Sequence, residues 1–98
     1  MILNKDYIQE KLTARFGHDV SEWDEQFGII SFRVAPLKNL EVVSYLFSEA
    51  DLGFQFLTDI TGVHFPDRKG EELCTVTHLH NLQANVRLKM KAYVPVEQ

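Results

Sequence analysis

Cys74, His78 and His80 carry the side chains of this sequence best suited to bind a metal ion or act as a nucleophile. A thiol and two imidazoles at even positions of the strand-like run CTVTHLH project from one face, and with His64 nearby they form a donor set that zinc accepts. Alternate strand residues, however, stand about 6 to 7 Å apart, so one ion would need ligands from elsewhere to close a tetrahedron. Polar or half-buried strand histidines are the plainer reading. A nucleophilic Cys74 would need a neighbouring base and surroundings that stabilise its thiolate, whereas its context is that of a buried strand residue. The chain has no Gly-rich phosphate loop, no Ser/His/Asp order and no Cys-x-x-Cys pair, which counts against catalysis by this polypeptide alone.

Charged residues on strands offer a different kind of chemistry, that of recognition. Asp59 interrupts the run FQFLTDITGV, where a carboxylate is unfavourable unless something receives it. Either it accepts hydrogen bonds from backbone donors near the Thr61-Gly62 bend, the preferred reading, or it faces a partner. Arg87, Lys89 and Lys91 form a basic stripe on one side of the final strand, suited to an acidic partner or a phosphate backbone, and otherwise a solvated sheet face. Tyr7, Trp23 and Tyr93 are large aromatics with a polar tip, which serve equally as core residues and as interface anchors.

The elements that must position these side chains follow from periodicity. Asn4 caps a helix through Phe16, with Ile8, Leu12 and Phe16 on one face and Gly17 as its stop. His18 to Trp23 and Ile29 to Val34 read as two strands around an Asp24 to Gly28 turn. Pro36 opens a second helix whose apolar face is Leu40, Val43 and Phe47, widened by Val42 and Leu46, and which ends near Asp51-Leu52-Gly53. From Phe54 the period becomes two: a strand to Val63, a loop from His64 to Gly70, the CTVTHLH strand, and a strand with Val86, Leu88, Met90, Ala92 and Val94 on one face. A sheet with one wet face needs a cover on the other. The predicted fold is therefore α+β: a two-layer sandwich in the order helix-strand-strand-helix-strand-strand-strand, with a largely antiparallel sheet and two helices on one face.

The 98 residues fit one domain, 1–98, and 45% hydrophobic against 24% charged residues is an ordinary globular composition. A net charge of −4 argues against bulk electrostatic binding of nucleic acid. The single cysteine permits no internal disulfide and the N-terminus lacks a secretory pattern, so a reducing compartment is expected. No apolar run approaches the roughly 20 residues of a membrane span, which leaves membrane association to partners.

The segment Phe56-Leu57-Thr58-Asp59-Ile60-Thr61-Gly62-Val63-His64-Phe65-Pro66-Asp67-Arg68 resembles the "LxDITGVDYPxR" segment of the C-type subunit of respiratory NADH:quinone oxidoreductase (complex I). Thr75-Val76-Thr77-His78-Leu79 is similar to that family's "VVYHL" strand, and Asn85-Val86-Arg87-Leu88-Lys89 to its "RxRxK" strand. His64 replaces the family's second aspartate, and the sequence ends at Gln98, before the family's C-terminal segment. The resemblance implies a non-catalytic subunit of the peripheral arm that carries no cofactor of its own; NADH, FMN, iron-sulfur clusters and quinone belong to the parent complex. It implies packing against the D-type subunit and other peripheral-arm subunits, on the cytoplasmic side of the inner membrane or the mitochondrial matrix side. Asp59, His64, Arg87, Lys89 and Lys91 then become expected interface residues. The equivalent domain of a membrane-bound hydrogenase is the neighbouring expectation, and a small metal or thiol protein using Cys74, His78 and His80 is the rival from another class.

Overall fold

The computed structural model describes residues 3–94; the expected boundary beyond them lies outside the described residues. Two helices and five strands run in the order α1 (Lys5–Phe16), β1 (Val20–Gln26), β2 (Ile29–Val34), α2 (Asn39–Ser48), β3 (Phe56–His64), β4 (Leu73–Asn81) and β5 (Val86–Val94), with single 3₁₀ turns at Gly17–Asp19 and Pro36–Lys38. The α+β class and the element order match the expectation. The sheet order is β1-β2-β5-β4-β3, antiparallel throughout except for the parallel pair of β2 with β5. That parallel pair arises because α2 and the β3-β4 hairpin intervene before β5 returns to the centre of the sheet.

Local chemistry explains the ends of α1. The Asn4 side chain accepts a hydrogen bond from the Tyr7 backbone N–H at 2.9 Å, and Gly17 turns the chain at φ 60, where a side chain would be strained. Ile8 and Leu12 are buried, and Phe16 meets Tyr45 edge to face at 5.6 Å. These residues join Val42 and Leu46 of α2 and Phe32, Val34, Leu88 and Met90 of the sheet in one core, so both helices cover the same sheet face.

Several boundaries and faces differ from the sequence expectation. β1 continues through Asp24 and Glu25 to Gln26, and the turn is the two residues Phe27 and Gly28, both at positive φ, the twist that suits a tight hairpin. The irregular register between Ser21 and Asp24, with Glu22 at φ 54, absorbs the shift as a bulge. In α2 the buried residues are Val42 and Leu46, while Leu40 and Phe47 are 76% and 54% exposed. α2 ends at Ser48, earlier than expected, and the chain beyond it still packs: Leu52 and Phe54 are core residues, so Phe54 plugs the core ahead of β3 instead of opening that strand.

A polar contact ties the two helical segments together. Asp51 accepts hydrogen bonds from Tyr7 Oη and from Lys11 Nζ, and Lys11 also pairs with Glu49 at 3.2 Å. The Lys11 ammonium first, and then the Tyr7 hydroxyl, hold the Asp51 carboxyl below the usual carboxylate range. The same contact with Asp51 pushes the Tyr7 hydroxyl above its ordinary value. Because the folded protein binds the Asp51 proton more weakly than the unfolded chain, Asp51 stabilises the fold fully above the unfolded carboxylate value of about 4, and that contribution is lost as pH falls through the lower folded value. Thermal melts across the acid range should accordingly show the wild type losing more of its midpoint than Asp51→Asn does, while the variant is the less stable at neutral pH. Parallel acid profiles for the two proteins would contradict this assignment.

Candidate functional site

The face of the sheet opposite the helices is where the sequence-predicted residues converge. Leu88, Met90 and Ala92 turn into the core, so the alternate β5 residues Arg87, Lys89, Lys91 and Tyr93 point the other way. Register then aligns neighbours on this outer face: His80 beside Arg87, His78 beside Lys89, Val76 beside Lys91 and Cys74 beside Tyr93 on the β4 side, with Ile29, Ser31 and Arg33 of β2 on the other. Asp59 stands next to His78 on β3, and Asp24 next to Ser31 on β1.

The five expected interface residues are thus not all together. Asp59, Arg87, Lys89 and Lys91 share the outer face, whereas His64, paired with Leu73, falls on the helix side of the edge strand and is exposed there. Asp59 is exposed and accepts a hydrogen bond from the Thr61 hydroxyl at 2.9 Å, so its partner is a side chain and not the backbone donors expected near the bend.

The charges on this face are unevenly neutralised. Arg33 pairs with Glu22 at 3.1 Å and with Glu71, and its guanidinium lies 4.5 Å from the centre of the Tyr93 ring. Arg68 covers the opposite flank of the same region, 4.5 Å from the Tyr93 ring and 5.6 Å from that of Phe65. Among the described residues, no carboxylate lies within ion-pair distance of Arg87, Lys89 or Lys91. A hollow of about 280 Å³ opens at the Arg87 end, lined by Ile29, Thr58, His78, His80 and Arg87, with the core residues Leu79 and Leu88 behind it.

Cys74, His78 and His80 do share a face, as their spacing requires, but the strand spreads them out. Among the described residues no three His, Cys, Asp or Glu side chains are placed to hold a metal ion. Cys74 is 2% exposed, so its thiol should react with a bulky maleimide only as fast as the fold opens. Labelling under native conditions as fast as in denaturant would contradict its buried placement. Tyr7 and Trp23 are also accounted for internally: Tyr7 bonds to Asp51, and Trp23 stacks on Phe32 with ring centres 4.4 Å apart.

The sequence did not reveal how bare β3 is. Every β3 residue except the half-buried Val63 is exposed, including Phe56, Leu57 and Ile60, and the expected helical cover stops short of this strand. Alternation marks such a strand, but it does not say whether anything packs on it.

No helix among the described residues is long and apolar enough to cross a membrane. The profile of the family described as "Respiratory-chain NADH dehydrogenase, 30 Kd subunit" matches residues 32–98. Over 81 residues, 82% of this chain, the sequence is 36% identical to the second C-type subunit of NADH-quinone oxidoreductase from Rhizobium meliloti, covering 43% of that protein. It is 35% identical over 68 residues, 69% of this chain, to the C-type subunit of NADH-quinone oxidoreductase from a Nocardioides species, covering 27% of it. The chain thus spans less than half the length of these curated relatives. In fold it is similar to the trypsin-resistant fragment of Nqo5, with a TM-score of 0.68 at 22% identity over 94% of this chain and 71% of that one. It is also similar to a chain of the archaeal membrane-bound sulfane sulfur reductase, with a TM-score of 0.73 at 20% identity over 92% and 49% of the two chains.

Proposed function

We propose, from the premise that this chain belongs to the family of the 30 kDa subunit of respiratory-chain NADH dehydrogenase, that it is a non-catalytic accessory subunit of the peripheral arm of an NADH:quinone oxidoreductase. Its work is structural: it assembles with the D-type subunit and the quinone module and thereby supports electron transfer from NADH to quinone. NADH, FMN, iron-sulfur clusters and quinone are carried by other subunits, and the chain reaches the membrane only through them, on the cytoplasmic side of the inner membrane or the matrix side of the mitochondrial one. In this reading residues 1–98 form one domain, equivalent to the N-terminal domain of the C-type subunit.

The observation that carries the proposal is the family match over residues 32–98, which takes in the second half of β2 and all of α2, β3, β4 and β5. The sheet supports it physically. Its helix-covered side is spent on the core, while its outer face and edge strand carry uncommitted charge and apolar surface, the composition of a docking surface rather than of a reaction centre. Asp59, Arg87, Lys89 and Lys91 contact the partner from the outer face, and His64 from the end of the edge strand. Likeness in fold to the sulfane sulfur reductase chain keeps one second reading, the equivalent domain in another membrane-bound redox complex such as a hydrogenase.

Deleting the coding sequence tests the choice. Membranes of the deleted strain should lose NADH oxidation coupled to quinone, and expressing this chain should restore it. Undiminished activity overturns the proposal, and a loss of hydrogen oxidation instead selects the second reading.

A further inference from the structure

The chemistry of the partner can be read from the outer face. Arg87, Lys89 and Lys91 occupy alternate positions of β5, the central strand of the sheet, so their charges repeat about every 6 to 7 Å over roughly 13 Å. His80 and His78 flank Arg87 and Lys89, and the carboxylates in register with Lys89, those of Asp24 and Asp59, each stand two strands away from it. At about 4.8 Å per strand their backbones stand about 9 to 10 Å away, and neither forms an ion pair with the stripe. Arg33, by contrast, which lies beside Lys91, is already paired with Glu22 and Glu71. Among the described residues, the centre of the face therefore presents basic groups with no ion-pair partner, on a chain whose net charge is −4.

We infer that this face seats an acidic protein segment of a neighbouring subunit, with carboxylates meeting Arg87, Lys89 and Lys91 and one side chain entering the hollow beside His78, His80 and Arg87. Carboxylates on every second residue of an extended segment, or every fourth residue of a helix, repeat at about 6 to 7 Å and match the stripe. Nucleic acid fits less well, because three cations release few counterions and the rest of the chain repels phosphate. The inference rests on the accessory-subunit reading and adds the nature of the contact.

Carbodiimide joins lysine amines to carboxylates only when they are in direct contact, and so tests this chemistry on the intact complex. The tagged chain, purified with its companions, is treated with carbodiimide, and in parallel its lysines are acetylated before and after the companions are removed by salt. Cross-links from Lys89 or Lys91 to Asp or Glu of a companion, with acetylation of both suppressed until salt is added, are the expected result. Companions present but both lysines freely acetylated and uncross-linked would overturn the acidic contact and leave the accessory reading standing. Suppression abolished by nuclease would assign the stripe to a phosphate backbone and overturn the inference. A chain that purifies alone with both lysines reactive would overturn the inference and the reading beneath it together.

Discussion

Phe32→Ala should destabilise the protein by about 3 to 5 kcal/mol, measured as the loss of unfolding free energy in urea. Phe32 is fully buried in the centre of β2, stacks on Trp23 and belongs to the cluster that joins both helices to the sheet. Truncation removes a ring's worth of burial, leaves a cavity and frees one face of Trp23. A domain of this size commands about 5 to 15 kcal/mol in total, so the variant should lose a large share of its margin and unfold at markedly lower urea. The functional consequence is indirect: β2 pairs with β5, and the outer face keeps its register only while that pair is held. Leu40→Ala supplies the contrast. Leu40 is as apolar in sequence, but at 76% exposure its loss should cost no more than about 0.5 kcal/mol. Comparable costs at the two positions would mean that the face of α2 has been assigned wrongly.

Reversing the stripe, as Arg87→Glu, Lys89→Glu and Lys91→Glu together, should leave the fold intact and weaken assembly by at least roughly a hundredfold, about 2.7 kcal/mol. All three side chains point away from the core, so the folded chain tolerates them, and no internal ion pair among the described residues is broken by the change. The partner's carboxylates would instead meet like charge across a partly desolvated contact. The remaining association should depend on salt in the opposite sense from the wild type, tightening as ionic strength rises, because repulsion and not attraction is then being screened. Titration of the purified partner against both proteins at two salt concentrations reads this directly. Equal affinities with equal salt slopes would assign the stripe to solvent and move the interface elsewhere, with the bare edge strand β3 as the next surface to alter.

Periodicity alone made much of this fold legible. The alternation of Val86, Leu88, Met90 and Ala92 against Arg87, Lys89 and Lys91 is a property of the extended backbone itself, and so the two faces of β5 were plain. Asn4 and Gly17 marked the ends of α1 because capping is local chemistry. What failed was non-local. Leu40 and Phe47 fit a helical stripe as well as Val42 and Leu46 do, and only the packing of α2 against the rest of the fold decides which pair is buried. Phe54 continues the apolar run into β3 in sequence, yet it is a core plug, since a run of hydrophobic residues does not record where a strand begins.

The candidate site shows the same division. Even spacing placed Cys74, His78 and His80 on one face, and the structure agrees, but spacing alone gave the triad an appearance of metal chemistry. Register supplies the missing fact: the two histidines border Arg87 and Lys89, and so belong to a basic surface. In the same way, His64 and Asp59 lie in one motif and one strand, yet the alternation that begins after the irregularity between Leu57 and Asp59 sends them to opposite faces. No pattern along a single strand reveals which strands will lie beside it.

Purification from native membranes would show whether this chain works as a non-catalytic part of a respiratory NADH:quinone oxidoreductase. The chain would be tagged at its own locus, the membranes solubilised gently, the purified material assayed for NADH oxidation with a quinone acceptor, and its companion chains identified by mass spectrometry. This activity should be recovered together with a companion of the D type. Recovery of the chain with no redox companion and no NADH:quinone activity would contradict that role.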